Sequence, residues 1–328
     1  MERIDPRVPL DPSIPGTVVT VGTFDGVHRG HQDVLARLVR RARATGLPSV
    51  LVTFEPHPLE VLNPAAAPLL LTTRDEKLAA LAATGLDCVS ILPFNAALAA
   101  QSAEEFVDRG LLQGLRMREL LIGHDHGFGR GREGDVDTLR TLGAARGFAV
   151  EVVPPVQTPA GETISSSQIR RAVACGDLAE AAAGLGRDYA VSGHVVPGDA
   201  RGRALGFRTL NVEPGSPRKL LPPDGVYAVD VHTPRGRFGG MMNLGGRPTF
   251  NDARRTIEAH LFDAEGDFYG DFVQVAFVGR LRDTMRFDGP DALRTQLAAD
   301  ERAARLALTA LGGPGNLNGS TPVPPSTP

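Results

Sequence analysis

The sequence predicts an α/β protein in two parts: an N-terminal doubly wound parallel sheet, then an antiparallel barrel or sandwich closed by a terminal helix. Three observations predict it. Continuous apolar runs alternate with amphipathic helical stretches through the first half, as strands covered on both faces require. Past Arg187 the pattern changes to short β-type segments separated by turn residues. The 328 residues exceed what one hydrophobic core usually serves.

Val18 to Val21 reads as a buried strand. From Gln32 to Thr45, Val34, Leu35, Leu38, Val39 and Ala42 fall on one helical face, and Gly46 stands where a C-cap belongs. Val50 to Phe54 is a second apolar run, so strand, helix and strand make a right-handed crossover. The alternation continues with a helix over 75–84, a strand over 88–92 and a helix over 103–113. A strand over 119–123, a helix over 136–146 and a strand over 149–153 complete it. In the second part, strands are expected at 189–196, 225–233, 238–244, 256–261 and 272–278, then an amphipathic helix at 291–311. The expected domains are 1–186 and 187–312, and the glycine- and proline-rich stretch 313–328 reads as a disordered tail.

Composition narrows the function. A formal net charge of -3 argues against nucleic acid or an anionic membrane as partner. A few placed donors can still hold a nucleotide phosphate. Cys88 and Cys175 are too few for a disulfide framework or a thiolate metal site, and they fit a reducing cytoplasm. No stretch approaches 18 uninterrupted apolar residues, so a soluble, cytoplasmic protein is expected. Oligomeric state is left open, a homo-oligomer included.

The stretch GTFDGVHRGH, Gly22 to His31, puts glycine and polarity where the first strand hands over to a helix. In open parallel sheets, ligands bind beyond the C-terminal strand ends. Gly22, Gly26 and Gly30 permit close backbone approach, and the helix start favours phosphate. A helix terminus contributes roughly 0.3–1 kcal/mol, up to about 2 when partly buried. Catalysis needs on the order of 8 kcal/mol or more. Imidazoles donating to charge on a phosphorus-bound oxygen supply the kind of term that is missing, and His28 and His31 share one face of the first turn.

The chain contains no GxxxxGK[ST] phosphate loop. The stretch instead resembles the HxGH signature of the nucleotidyltransferase superfamily. That resemblance implies catalytic roles for His28 and His31, with ATP contacts at Gly22, Phe24, Asp25 and Gly30. ISSSQIRRAV, Ile164 to Val173, sets three hydroxyls before a helix, more than one N-cap needs. In the superfamily such a motif closes on the triphosphate, which implies Ser166, Ser167 and Arg170.

TFEPHP and IGHDHGFGRGREGD also follow expected strands. Phe54, Pro56, Pro58 and Phe128 can form a flat apolar slot for a ring system, and His57 reads as structural. With these stretches the first half resembles the FMN adenylyltransferase domain of the bacterial bifunctional riboflavin kinase/FAD synthetases. The resemblance implies flavin contacts at Phe54, Pro56, Pro58, Asp125 and Phe128. His124, Asp125 and His126 replace the residues usual there. On a strand end or loop they lack helical ligand spacing, so no metal site is read from them.

GHVVPGDARGRALGFRTLNV, Gly193 to Val212, is similar to that family's glycine-rich kinase loop and PTAN-like motif. This implies phosphate contacts at Gly198, Gly202 and Gly206, and Mg²⁺ with ATP at Thr209 and Asn211. Glu258, in IEAHLFDAEGDFYG, matches the general base, and Arg282 is a candidate flavin or nucleotide contact. Arg208 stands where the family usually has proline. The resemblance spans 16–311 and implies a barrel that phosphorylates riboflavin to FMN with ATP. It further implies that the first domain adenylylates FMN to FAD and releases pyrophosphate. The alternative is a nucleotidyltransferase for another phosphate acceptor, joined to a non-catalytic flavin-binding barrel.

Overall fold

The structure, a computed structural model, describes residues 1–4, 11, 13–124, 127–198, 206–246 and 255–310. The chain forms two compact units. One comprises Met1–Leu69 with Lys77–Ser166, the other Leu70–Glu76 with the chain from Ser167 onward.

The first unit is built on a parallel sheet. Its strands are β1 (Glu2–Arg3), β2 (Thr17–Val21), β3 (Ser49–Glu55), β4 (Cys88–Pro93), β5 (Met117–Gly123) and β6 (Ala149–Val153). Their order is β1-β4-β3-β2-β5-β6, so the first long strand lies in the middle, and the residues of β2 are buried on both faces. Helix α1 (Arg29–Thr45) buries Leu35, Leu38, Val39 and Ala42, the stripe that its periodicity indicates. Gly46, at φ 67°, ends it in the left-handed conformation that glycine adopts without steric cost. The short α2 (Pro58–Leu62) follows β3, and α3 (Arg74–Ala82) precedes β4.

Alternate residues of β2 and β3 point to opposite faces. Val18 and Leu51 meet Leu35, Leu38 and Leu81 on one side. Val19, Val21, Val50 and Val52 meet Phe106, Leu111 and Leu139 on the other. The sheet is therefore doubly wound. The helix expected over 103–113 is less regular. Short turns α4 (Ala96–Ala99) and α5 (Ala103–Glu105) lead into wide π-type turns over Phe106–Gly114. Helix α6 (Val136–Arg146) matches its expected span.

Helix α7 (Ser166–Cys175), which starts at the last residue of the first unit, and α8 (Leu178–Leu185) precede the closed antiparallel barrel of the second. Its strands are β7 (Ala190–Val196), β8 (Leu210–Pro214), β9 (Gly225–Thr233), β10 (Gly236–Gly246), β11 (Arg255–Leu261) and β12 (Phe272–Arg282). They close in the order β10-β11-β8-β7-β12-β9. Helix α9 (Pro290–Ala310) covers one side, with Ala304 buried against Ala228, Met241 and Phe262. Arg282 has a structural task here. It forks onto Asp300 of α9, Nε donating to Oδ1 at 2.9 Å and Nη2 to Oδ2 at 2.7 Å. That pairing ties the last strand to the helix and uses the donors that a flavin or nucleotide would need.

Segment 70–76, which follows α2 and includes the first residues of α3, belongs to the barrel unit. A buried ion pair explains it. Lys219 Nζ donates to Glu76 Oε2 at 2.7 Å and to the Leu71 carbonyl at 2.6 Å. Glu76 Oε2 also accepts from Thr73 N, and Oε1 accepts from Ser192 N of β7 at 2.6 Å. Each charge is thus desolvated only against several partners. Removing one partner strands the other charge, so Lys219→Met should destabilise this unit by about 3 kcal/mol. Lys219→Met with Glu76→Leu should recover part of that loss. Denaturant unfolding of the single and double variants measures both.

Candidate functional site

The Gly22–His28 turn leaves the C-terminal end of β2 in a strained path. Phe24 and Val27 take φ of 48° and 41°, and Gly26 takes 83°. A β-branched residue in that region costs of order 1–3 kcal/mol and needs surroundings that over-determine it. They are present. The Thr23 carbonyl accepts from Thr53 Oγ1 (3.0 Å) and Lys77 Nζ (3.3 Å), and the Val27 carbonyl accepts from Gln32 Nε2 (2.9 Å). Ser166 Oγ donates to the Asp25 carbonyl at 3.0 Å, so the serine motif touches the turn as well.

The outcome is a fixed imidazole pair. His28 is the N-cap of α1, which is why the helix starts before Gln32; its Nδ1 accepts from His31 N at 3.4 Å. With Nδ1 as acceptor, the neutral ring carries its proton on Nε2. The His28 and His31 rings stack with centroids 3.6 Å apart, and His31 lies 4.5 Å from the Phe24 ring. A Cβ at Gly30 would fall 3.2 Å from the His28 ring, so only glycine leaves the ring undisturbed there.

Beside this pair opens a cleft of about 480 Å³, bordered by Gly22, Phe24, His31, Phe54, Pro58 and Phe128. Its volume suits a small organic ligand. Phe54 meets Phe94 edge-on at 5.6 Å, and Phe106 meets Phe128 at 5.1 Å, so aromatic rings form the walls. Pro56 follows β3 without bordering the cleft, and Asp125 lies outside the described residues. His57 caps α2, its Nδ1 accepting from Leu59 N at 3.2 Å, while its side chain also borders the cleft. Ser166 and Ser167 stand in the first turn of α7 rather than before it, with Arg170 one turn on.

On the barrel, burial alternates along β11: Ile257, Ala259 and Leu261 point inward, Glu258 and His260 outward. Glu258 pairs in register with Asn211 of β8 and Asn243 of β10, so the three side chains share the outer face. A Cβ at Gly198 would fall 2.0 Å from Asn211 Nδ2, so that amide sits directly against the glycine-loop backbone. Gly202 lies outside the described residues.

One pleat along the same strands, a cleft of about 650 Å³ is bordered by Gly206, Thr209, Phe262, Phe268 and Tyr269. Arg208 borders it too. Its Nη1 donates to the Gly266 carbonyl at 3.1 Å, and His260 Nδ1 donates to the Arg208 carbonyl at 2.7 Å. From α9, Arg305 reaches Asp263 at 2.9 and 3.0 Å and packs over Phe262. Hydrogen bonds from Arg305 hold the Asp263 carboxyl below its ordinary range.

Residues 11–168 match the family model of FAD synthetase, and 185–308 match that of riboflavin kinase. The bifunctional riboflavin kinase/FMN adenylyltransferase of Pseudomonas fluorescens is 42% identical over 90% of this chain and 94% of its own. That of Escherichia coli K12 is 41% identical over 88% and 92%. The chain belongs to the bifunctional riboflavin kinase/FMN adenylyltransferase family. A crystal structure described as a macrolide-efflux protein from Streptococcus pneumoniae is also similar, with 32% identity, coverage of 93% and 99%, and a TM-score of 0.80. Among the described residues, no helix is long and apolar enough to cross a membrane.

Several residues that the family motifs do not mark come forward in the geometry. Phe94, Phe106 and Arg132 border the first cleft. Phe94 directly follows β4, so the strand-end rule could have found it. Asn243 joins Glu258 and Asn211 only through strand register, and Arg305 reaches the second cleft from a helix far along the chain. No local sequence signal marks either.

Proposed function

We propose that the chain makes FAD from riboflavin in two ATP-dependent steps, which correspond to the riboflavin kinase and FMN adenylyltransferase activities for which its relatives are named. Residues 187–312 carry riboflavin phosphorylation and 1–186 carry adenylyl transfer. The stacked His28–His31 pair, fixed at the mouth of an aromatic cleft, supports the reading most directly.

In the adenylyl step, a phosphate oxygen of FMN attacks the α-phosphorus of ATP. The bond from that phosphorus to the bridging oxygen breaks, and pyrophosphate leaves. The acceptor is already an anionic nucleophile, so no enzyme-bound intermediate is needed. Catalysis then rests on alignment and charge stabilisation. His28 and His31 donate to the α-phosphate oxygens as charge builds on them. Gly22, Phe24, Asp25 and Gly30 shape the ATP side, and Ser166, Ser167 and Arg170 hold the departing pyrophosphate. Phe54, Pro58, Phe128 and Asp125 serve the flavin, while Pro56, away from the cleft, serves only the turn that carries Pro58.

In the kinase step, the riboflavin 5′-hydroxyl attacks the γ-phosphorus, its proton passes to Glu258, and ADP leaves. Backbone amides at Gly198, Gly202 and Gly206 cradle phosphate. Thr209 and Asn211 offer hard oxygen donors on the face that carries Glu258, which fits Mg²⁺. When bound with ATP, the ion neutralises phosphate charge. The Phe262, Phe268 and Tyr269 side of the second cleft suits a purine base. Free Cys88 and Cys175 agree with work in a reducing cytoplasm.

Arg208 takes a positioning part, fastening the Thr209 strand to the Gly266 turn. One exposed hydrogen bond is worth about 0.5–1.5 kcal/mol. Arg208→Ala should therefore raise the kinase KM for ATP about threefold with little change in kcat. Separate assays of FMN and FAD formation test the two-step reading. Variants at His31 and at Glu258 should each lose one activity; parallel loss of both would contradict two independent sites.

A further inference from the structure

We propose that Arg132 receives the phosphate of the flavin acceptor in the adenylyl-transfer cleft. The inference rests on the adenylyl-transfer reading above and extends it to a residue that carries charge rather than shape.

Arg132 sits in a tightly pinned loop. Phe128 pairs with Gly134, whose N–H donates to the Phe128 carbonyl at 3.0 Å, and Arg132 N donates to the Gly129 carbonyl at 3.0 Å. Outside contacts fix the same loop. Arg130 N donates to the Gln101 carbonyl at 2.9 Å, and Ala103 N donates to Glu133 Oε1 at 2.9 Å. A Cβ at Gly129 would fall 2.6 Å from Ala103 N, so the loop is pressed against that segment.

Within it, Arg132 holds φ at 62°, while Gly129 and Gly131 take 80° and 64°. Glycine adopts such angles freely; arginine is strained there. A loop that already uses glycine at two left-handed positions keeps a long cationic side chain at a third. A Cβ at Gly127 would fall 3.3 Å from Arg132 Nε, so the absence of a side chain at Gly127 makes room for the guanidinium stem.

The chemistry of the cleft gives that side chain a task. Aromatic rings wall it, and among the described lining residues Arg132 alone carries a permanent positive charge. A flavin ring is satisfied by the walls, but its phosphate is anionic and must be brought up to a second polyanion. Two phosphates at reacting distance repel unless a cation lies between or behind them. The histidine pair is directed to the phosphorus under attack. A planar guanidinium can grip the attacking phosphate through two parallel hydrogen bonds and fix the direction of its free oxygen.

The test is steady-state FAD formation by the full chain, with FMN and ATP varied in turn, for Arg132→Ala, Arg132→Gly and Arg132→Lys. Charge-assisted hydrogen bonds imply a rise in the KM for FMN of about 30-fold in the first two variants. The KM for ATP should stay within about twofold, and Lys should recover part of the loss, as a point charge without the fork. Arg132→Gly suits the left-handed angle, so a rise there does not come from backbone strain, and an unchanged KM for ATP shows that the cleft stays formed. An unchanged KM for FMN in Arg132→Gly overturns the proposal, and so does a rise confined to ATP. Failure of the unaltered chain to make FAD from FMN would instead sink the adenylyl-transfer reading itself.

Discussion

Replacing His31 by alanine is expected to lower FAD formation from FMN about 10³-fold while riboflavin phosphorylation continues. The size follows from where the ring stands. His31 lies between the His28 ring and Phe24 and faces the cleft. A donor held that rigidly need not reorganise when charge grows on the α-phosphate. Such preorganised donors typically contribute about 2.7–4 kcal/mol. Because the interaction strengthens only as the transition state forms, kcat should fall far more than the KM for either substrate. His31→Gln keeps one N–H donor and should recover activity only in part, since an amide cannot maintain the ring stack. Rapid-quench single turnovers with ATP labelled at the α-phosphate separate the chemical step from product release. A loss confined to KM would show that the ring binds nucleotide without serving catalysis.

The first unit was largely legible in the sequence because its central strands β2 and β3 are covered on both faces. Ser49 to Thr53 are all buried, and such strands appear as unbroken apolar runs that need no knowledge of their neighbours. The cleft was legible for a related reason. Loops after parallel strands converge at one end of the sheet, so residues far apart in sequence could be assigned to one place. Legibility failed wherever partners were remote. Nothing local marks Glu76, whose lysine partner is 143 residues away, as a barrel residue. Strand β8 was not expected because it is short, ends in Pro214 and follows a glycine-rich stretch, so the alternation of Leu210, Asn211, Val212 and Glu213 is too brief to stand out, and its place comes from pairing with β7 and β11. Helix α8 is short and rich in alanine, with a weak face pattern; its ends come from the Asp177 cap and from Gly186 at φ 74°. Arg132 read as one basic residue among several in a glycine-rich loop. Only the backbone angles and the lining of the cleft single it out.

On the barrel, Glu258→Gln should lower the kcat for riboflavin phosphorylation about 10³-fold and leave conversion of supplied FMN to FAD intact. The substitution is nearly isosteric and keeps an acceptor oxygen next to Asn211 and Asn243. Contacts to a substrate hydroxyl can therefore persist, and what is lost is the capacity to take a proton. If Glu258 acts as the base, KM for riboflavin should change little. Asn211→Ala tests the neighbouring role. Its amide is set against Gly198, so its loss should weaken ATP binding and raise the KM for ATP with a smaller effect on kcat. The contrast between the variants is the decisive part, because Glu258 and Asn211 face each other on adjacent strands and a general disturbance of that face would affect both parameters in both. Equal losses in kcat and KM from either substitution would mean that the row Asn211–Glu258–Asn243 organises the barrel surface, and the base would have to be sought elsewhere.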